Sequence, residues 1–218
     1  MIKKKTNKKS LAEISRMVAT SYDIIGHDYH STRRIHKIDA ELQKFSDLLP
    51  LNARVLDAGS GSGVPTSKYL SEQGHQMIGI DISDGMLEMA QKNVPDGRFV
   101  KMNMTDLKFD DDSFDGVVSL FAIFHIPRTQ HHLILSEFHR VLKKGGILVI
   151  NQGAFDMDGI SRFFGEPMMW SNYKPEKTLT MVKEYGFEII FEGNLVRGGE
   201  TQYWIFARKK YDKKKKSN

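Results

Sequence analysis

The sequence predicts an open α/β sheet, fed by alternating strands and helices and finished by an antiparallel pair. Three observations predict it. Short aliphatic and β-branched runs recur between amphipathic stretches, at Arg54–Asp57, Met77–Ile80, Phe99–Met102, Phe114–Leu120 and Ile147–Ile150. The stretch Val55-Leu56-Asp57-Ala58-Gly59-Ser60-Gly61-Ser62-Gly63 runs from the first of these into Pro65, a residue suited to the first helical turn. Finally, Phe187–Phe191 and Tyr203–Ala207 flank Arg197-Gly198-Gly199, a link too short for a crossover helix, so a hairpin is expected there.

The remaining elements follow in chain order. Leu11, Ile14 and Val18 recur at helical spacing, as do Ile35, Ile38, Leu42, Phe45 and Leu49, which gives a helical N-terminal cap over residues 11–50. A helix from Pro65 to Gln73 closes at Gly74, and the second strand ends at Asp81. Ser83 or Asp84 then caps a helix through about Asn93. Thr129–Leu142 reads as a helix with Ile134, Phe138, Val141 and Leu142 inward, followed by a turn at Lys143-Lys144-Gly145-Gly146. Residues 151–175 read as a loop, and a helix near Glu176–Tyr185 stops at Gly186. With no repeat and no second core, one domain is expected over residues 11–207, its α/β core beginning at 51.

The 218 residues suffice for a substantial core, and the absence of cysteine excludes disulfides and thiolate-bound metal, which suits a reducing, cytoplasmic setting. No apolar run approaches the roughly 20 residues of a membrane span, and the basic start has no apolar stretch behind it, so no signal peptide is expected. The net charge of +5 is misleading as a whole-chain figure. Residues 1–10 carry +5 and residues 208–218 carry +6, which leaves −6 on the body. The basicity thus belongs to two lysine-rich tails expected to be disordered, and an acidic body is a poor match for a phosphate backbone.

In open α/β sheets the ligand lies beyond the carboxyl ends of the strands, where strand order reverses. That rule points to Asp57 with its glycine turn, to Asp81, and to the segments after Met102 and Val118. Asp81 can accept both hydroxyls of a ribose diol or can simply cap a helix; its distance from the glycine turn favours the ribose. Asp57 stands before the first glycine, where it would repel a pyrophosphate but suit an ammonium or sulfonium group. Gly-x-Gly-x-Gly also departs from the Gly-x-Gly-x-x-Gly of dinucleotide sites.

Together with Gly79-Ile80-Asp81-Ile82-Ser83, Ser113-Phe114-Asp115-Gly116-Val117-Val118, Phe124-His125-Ile126-Pro127 and Arg140-Val141-Leu142-Lys143-Lys144-Gly145-Gly146, the glycine stretch resembles the class I S-adenosylmethionine-dependent methyltransferases over residues 20–207. The flavour is similar to small-molecule enzymes, including those of quinone pathways. The resemblance implies a Rossmann-like sheet of seven strands, mostly parallel with the last antiparallel and helices on both faces. It implies S-adenosyl-L-methionine as cofactor, S-adenosyl-L-homocysteine as product, a small-molecule acceptor, and no metal. Gly59, Ser60, Gly61 and Gly63 would line the methionine part, with Asp57 on its ammonium side. Asp81 would hold the ribose, and Ile82 and Met86 would cover the adenine. Met104, Ser119 and Tyr29 complete the expected cofactor shell.

One departure stands out. Asn103 occupies a position where the family usually has an acid accepting from the adenine amino group; Asn can accept there through its oxygen. Asp106 is expected at the surface. On the acceptor side His125 is either a base or a structural histidine, and Tyr22 and Tyr29 either close the site or merely pack. His131 and His132, at a helix start, are expected to be exposed. Phe155, Phe163, Phe164, Met168, Met169, Trp170 and Tyr173 make an apolar cluster that reads as an adaptable lid or as plain packing. Other readings of the chain are an RNA or protein methyltransferase, a non-catalytic binder of the cofactor, or a nucleotide oxidoreductase.

Overall fold

The computed structural model describes residues 9–33, 37–197 and 199–211. Ile35, Gly198 and most of both lysine-rich tails lie outside the described residues. Nine strands and six α-helices are described, in the order α1 (Leu11–Arg33), α2 (Asp39–Asp47), β1 (Arg54–Ala58), α3 (Thr66–Glu72), β2 (Gln76–Asp81), α4 (Asp84–Asn93), β3 (Arg98–Lys101), β4 (Phe114–Ser119), α5 (His131–Val141), β5 (Leu142–Gly153), β6 (Met157–Phe163), β7 (Glu166–Asn172), α6 (Pro175–Glu184), β8 (Phe187–Arg197) and β9 (Glu200–Lys209).

Seven strands form one sheet in the order β3-β2-β1-β4-β5-β9-β8. The pairs β1–β2, β1–β4, β2–β3 and β4–β5 are parallel, whereas β9 runs antiparallel to both β5 and β8. This is the Rossmann-like sheet expected. Side-chain alternation explains why it is buried on both faces. Leu56, Val117, Leu148, Ile150 and Ile205 point into one core with α5 and α6. Their neighbours Val55, Val118, Ile147, Val149, Trp204 and Phe206 point into the other with α2 and α3.

Three expectations change. Residues 151–175 are not a loop: β5 continues to Gly153, and β6 and β7 pair as a separate two-stranded hairpin. Its turn is Phe164-Gly165, both at positive φ (49° and 88°), the backbone of a tight two-residue hairpin turn. The Lys143–Gly146 turn is instead a bulge inside β5, because Phe114 pairs Leu142 while Gly116 already pairs Ile147. Lastly, β9 runs on through Arg208 and Lys209, two residues past the expected tail boundary. The Lys209 ammonium is buried and donates to Asp112 Oδ1 (2.8 Å) and to the Leu142 carbonyl (2.6 Å).

The N-terminal helix α1 lies over the body rather than within it. Ile14, Val18, Tyr22 and Ile25 pack on Met86 of α4 and on Met168 and Met169 of β7. It thereby roofs the carboxyl ends of the parallel strands.

Candidate active site

The strand order reverses between β1 and β4, and the chain leaves both strands into one cleft of about 1110 Å³, part of it open to solvent. The glycine turn forms its floor. Gly59 (φ 81°) and Gly61 (φ 52°) adopt a conformation that costs other L-residues energy. The Gly59 and Ser60 N–H groups donate to the Ile80 carbonyl at 2.8 and 2.9 Å, and Gly61 N–H donates to Asp81 Oδ2 at 2.9 Å. Asp81 Oδ1 accepts from the Ser83 N–H at 3.0 Å. One carboxylate therefore fixes both the glycine turn and the entry to α4. Burial pushes the Asp81 carboxyl up from its ordinary range, against the pull of the Ser83 and Gly61 N–H groups. Asp57, buried at the end of β1, accepts from the Ser67 hydroxyl of α3 at 2.7 Å.

Among the residues expected from the sequence, Asp57, Gly59, Ser60, Gly61, Asp81, Ile82, Met86, Asn103, Met104, Tyr22, Tyr29 and His125 all line this cleft. Gly63 and Ser119 do not. A side chain at Gly63 (φ 76°) would meet Val94 and Ala90 at 3.2–3.4 Å, so this glycine allows α4 to approach the turn. The Ser119 hydroxyl is buried and donates to the Ala58 carbonyl at 2.7 Å, across the β1–β4 seam. Asn103 also differs from expectation. Its side-chain oxygen accepts from the Thr105 N–H (3.0 Å) and hydroxyl (2.9 Å), closing a local turn instead of reaching outward. Asp106 is exposed beside Lys108, as expected.

Within the cleft, Tyr22 Oη lies 2.8 Å from His125 Nε2. His125 Nδ1 lies 2.8 Å from the Met169 carbonyl of β7. A carbonyl only accepts, so Nδ1 bears the ring proton; in the neutral ring Nε2 then accepts from the Tyr22 hydroxyl. Phe124, Trp170 and Tyr22 crowd the imidazole, with ring centroids 4.6, 4.8 and 5.4 Å away. The apolar cluster thus packs on the histidine through β7, and Phe163 and Phe164 meet Tyr29 edge-on. His131 is not exposed: it is 4% accessible, faces the Tyr173 ring and lies 3.0 Å from the Ile126 carbonyl. Burial pushes its pKa down to about 4. His132 is exposed.

Several lining residues escaped the sequence reading. Leu11, Ile14, Ser15 and Val18 of α1, together with Phe121 and Gln130, also line the cleft. Leu11, Ile14 and Val18 were visible as a helical stripe, but periodicity cannot distinguish a packed face from one that borders a cleft. Among the described residues, the lining holds two carboxylates, Asp57 and Asp81, and no lysine or arginine. Such a site suits a cationic, phosphate-free nucleoside and is hostile to a pyrophosphate. The residues present therefore fit a sulfonium nucleoside.

Residues 56–150 match the family model described as a methyltransferase domain. The chain is 40% identical over 100 residues to demethylmenaquinone methyltransferase of Clavibacter sepedonicus, covering 44% of this chain and 40% of that one. It is 26% identical over 221 residues to the enzyme of the same name from Thermotoga maritima, covering 86% and 92%. Matches to the first curated relatives span 40% to 62% of their length. In fold, the chain resembles 1,6-didemethyltoxoflavin-N1-methyltransferase of Burkholderia thailandensis, with a TM-score of 0.72 at 20% identity over 94% of this chain and 93% of that one. The matched domain and these relatives make the chain similar to methyltransferases, quinone-pathway enzymes among them, and the sheet topology is the fold it shares with the solved methyltransferase.

Proposed function

We propose that the protein transfers a methyl group from S-adenosylmethionine to an uncharged, largely apolar small molecule, and that Tyr22 and His125 take up the proton its nucleophilic atom releases. The observation that carries this reading is the charge of the cleft: two acids, Asp57 and Asp81, no lysine or arginine among the described residues, and apolar side chains of α1 in its lining. The relatives' names point the same way, since demethylmenaquinone is an apolar acceptor.

In this reading Asp57 and the turn from Gly59 to Gly61 bind the amino-acid part of the cofactor, and Asp81 holds the ribose while bracing the turn. Ile82, Met86 and Met104 supply apolar cover for the base. Once bound, the cofactor would supply a sulfonium methyl group that an aligned nucleophile takes in line, with S-adenosylhomocysteine as the leaving thioether. The protein's part is orientation and exclusion of water, both of which α1 provides by roofing the cleft. Where the nucleophile bears a proton, Tyr22 Oη accepts it while passing its own to His125 Nε2. The Met169 carbonyl holds the Nδ1–H of the resulting imidazolium.

The test pairs calorimetry with a transfer assay. S-adenosylhomocysteine should bind while NAD and NADP do not. Labelled methyl should pass to uncharged phenolic or quinol acceptors and not to phosphorylated ones. Binding of NADP, or turnover restricted to anionic acceptors or RNA, would overturn the reading.

A further inference from the structure

Phe121 sits where β4 empties into the cleft, and its φ is +56°, a conformation that is an outlier for a bulky L-residue. It is 6% accessible, so no solvent compensates the backbone there. Its N–H donates to the side-chain oxygen of Asn151 at 2.6 Å. Asn151 is fully buried on β5, one strand away, and is paired in register with Trp204 of β9, whose ring meets Phe121 edge-on at 6.2 Å. The chain that leaves Phe121 enters at once the most crowded point of the site. Ala122 lies so close to the glycine turn that a side chain on Gly59 would come within 2.3 Å of its Cβ. The Ala122 carbonyl then accepts the His125 N–H at 3.0 Å.

We infer that Asn151 is a positioning residue: its hydrogen bond holds Phe121 in the left-handed conformation and so sets the Ala122–His125 segment against the glycine turn. Asn151 does not line the cleft and acts only through Phe121. The glycine turn has its own anchors in the Ile80 carbonyl and Asp81, so it does not depend on Asn151. The consequence is specific. Loss of Asn151 should misplace the wall bearing His125 while leaving the floor intact. The inference rests on the proposed reaction only for its kinetic arm.

The experiment uses the full chain and four variants: Asn151→Ala, Asn151→Asp, Phe121→Gly and the double variant Phe121→Gly/Asn151→Ala. Glycine adopts positive φ at little cost, so it removes the need for the hydrogen bond. Asn151→Ala should lower kcat for methyl transfer by about tenfold or more, as a misplaced wall does. Its S-adenosylhomocysteine dissociation constant should stay within about threefold, since the floor keeps its own hydrogen bonds. Amide exchange over residues 121–125 should accelerate while residues 59–61 stay protected. In the Phe121→Gly background the same change should cost less than about twofold in kcat, because the conformation no longer needs support. Asn151→Asp keeps an acceptor in place and should retain more of the protection at 121–125 than Asn151→Ala, which guards against a variant that merely fails to fold. Equal losses in both backgrounds, or unchanged exchange at 121–125, would overturn the inference. If the wild-type protein transfers methyl to nothing, the proposed function fails and the exchange arm still decides the role of Asn151.

Discussion

Asp23 of α1 accepts the Ser83 hydroxyl, the N-cap of α4, at 2.6 Å. The same oxygen accepts the Gly85 N–H at 3.1 Å, while Ser83 Oγ in turn accepts the Met86 N–H. The roof over the cleft is thereby fastened to the helix that flanks its floor, through groups that would otherwise be open ends of α4. Asp23→Ala should cost about 1 kcal/mol of stability, the usual worth of a cap. It should also speed amide exchange along α1 more than along β1. Urea unfolding together with exchange mass spectrometry checks both, and Asp23→Asn, which keeps an acceptor, should lie between the variant and wild type.

The Tyr22–His125 pair predicts coupled kinetics. With an acceptor that must lose a proton, Tyr22→Phe and His125→Gln should each lower kcat by about 100-fold, the scale of general-base assistance. The double variant should be little worse than either single one, because the two groups act in series. With a thiolate or another nucleophile that is already unprotonated, both losses should shrink sharply. Steady-state kinetics on two acceptors of different acidity makes the comparison.

Gly59 predicts a binding defect of steric origin. A methyl group there would come within 2.3 Å of Ala122 Cβ and would be forced to a positive φ. Gly59→Ala should weaken S-adenosylhomocysteine binding by about 100-fold, roughly 3 kcal/mol. Combining it with Ala122→Gly removes the collision but not the backbone strain, so recovery should be partial. Gly63→Ala, packed beneath α4 and off the cleft, should lower the melting temperature more than it lowers affinity. Calorimetric titration and thermal unfolding of the three variants separate these effects.

His131 makes stability depend on pH. The unfolded imidazole titrates near 6.5, whereas burial keeps the folded one neutral down to about 4. As pH falls through that window the unfolded chain binds a proton the folded chain refuses, so its share of stability is present above about 6.5 and lost toward 4. The difference amounts to about 3 kcal/mol at most, from the size of the shift. His131→Gln should flatten the wild-type slope in urea midpoints measured between these limits, and an unchanged slope would show that other groups cause it.

The parallel strands were legible because burial on both faces leaves unbroken aliphatic runs, as in Ile147–Ile150. The floor was legible because glycines at positive φ and acids at strand ends are signals local in sequence. What escaped was set by tertiary context. β6, Met157–Phe163, is exposed along nearly all its length and has no alternating apolar face to announce it. Its turn uses Phe164 at positive φ, where asparagine or aspartate would have advertised a hairpin. His131 looked like a polar helix start, yet Tyr173 and the Ile126 carbonyl, one from beyond β7, enclose it. Asn103 offered an oxygen to the expected ligand, and a threonine two residues on takes it first. Asn151 gave no signal, since its meaning depends on the backbone of a residue 30 positions earlier.

The hairpin that sequence patterning missed reaches the site through main-chain atoms. Met169 offers its carbonyl to His125, and Pro167 offers its carbonyl to the Ser21 hydroxyl of α1 at 2.7 Å. Carbonyl oxygens survive almost any change of side chain. Exposed β6 can therefore drift without removing either acceptor. The hairpin's two hydrogen bonds with α1 and His125 thus rest on backbone and not on side-chain identity, so sequence can change along β6 and β7 while both acceptors stay in place.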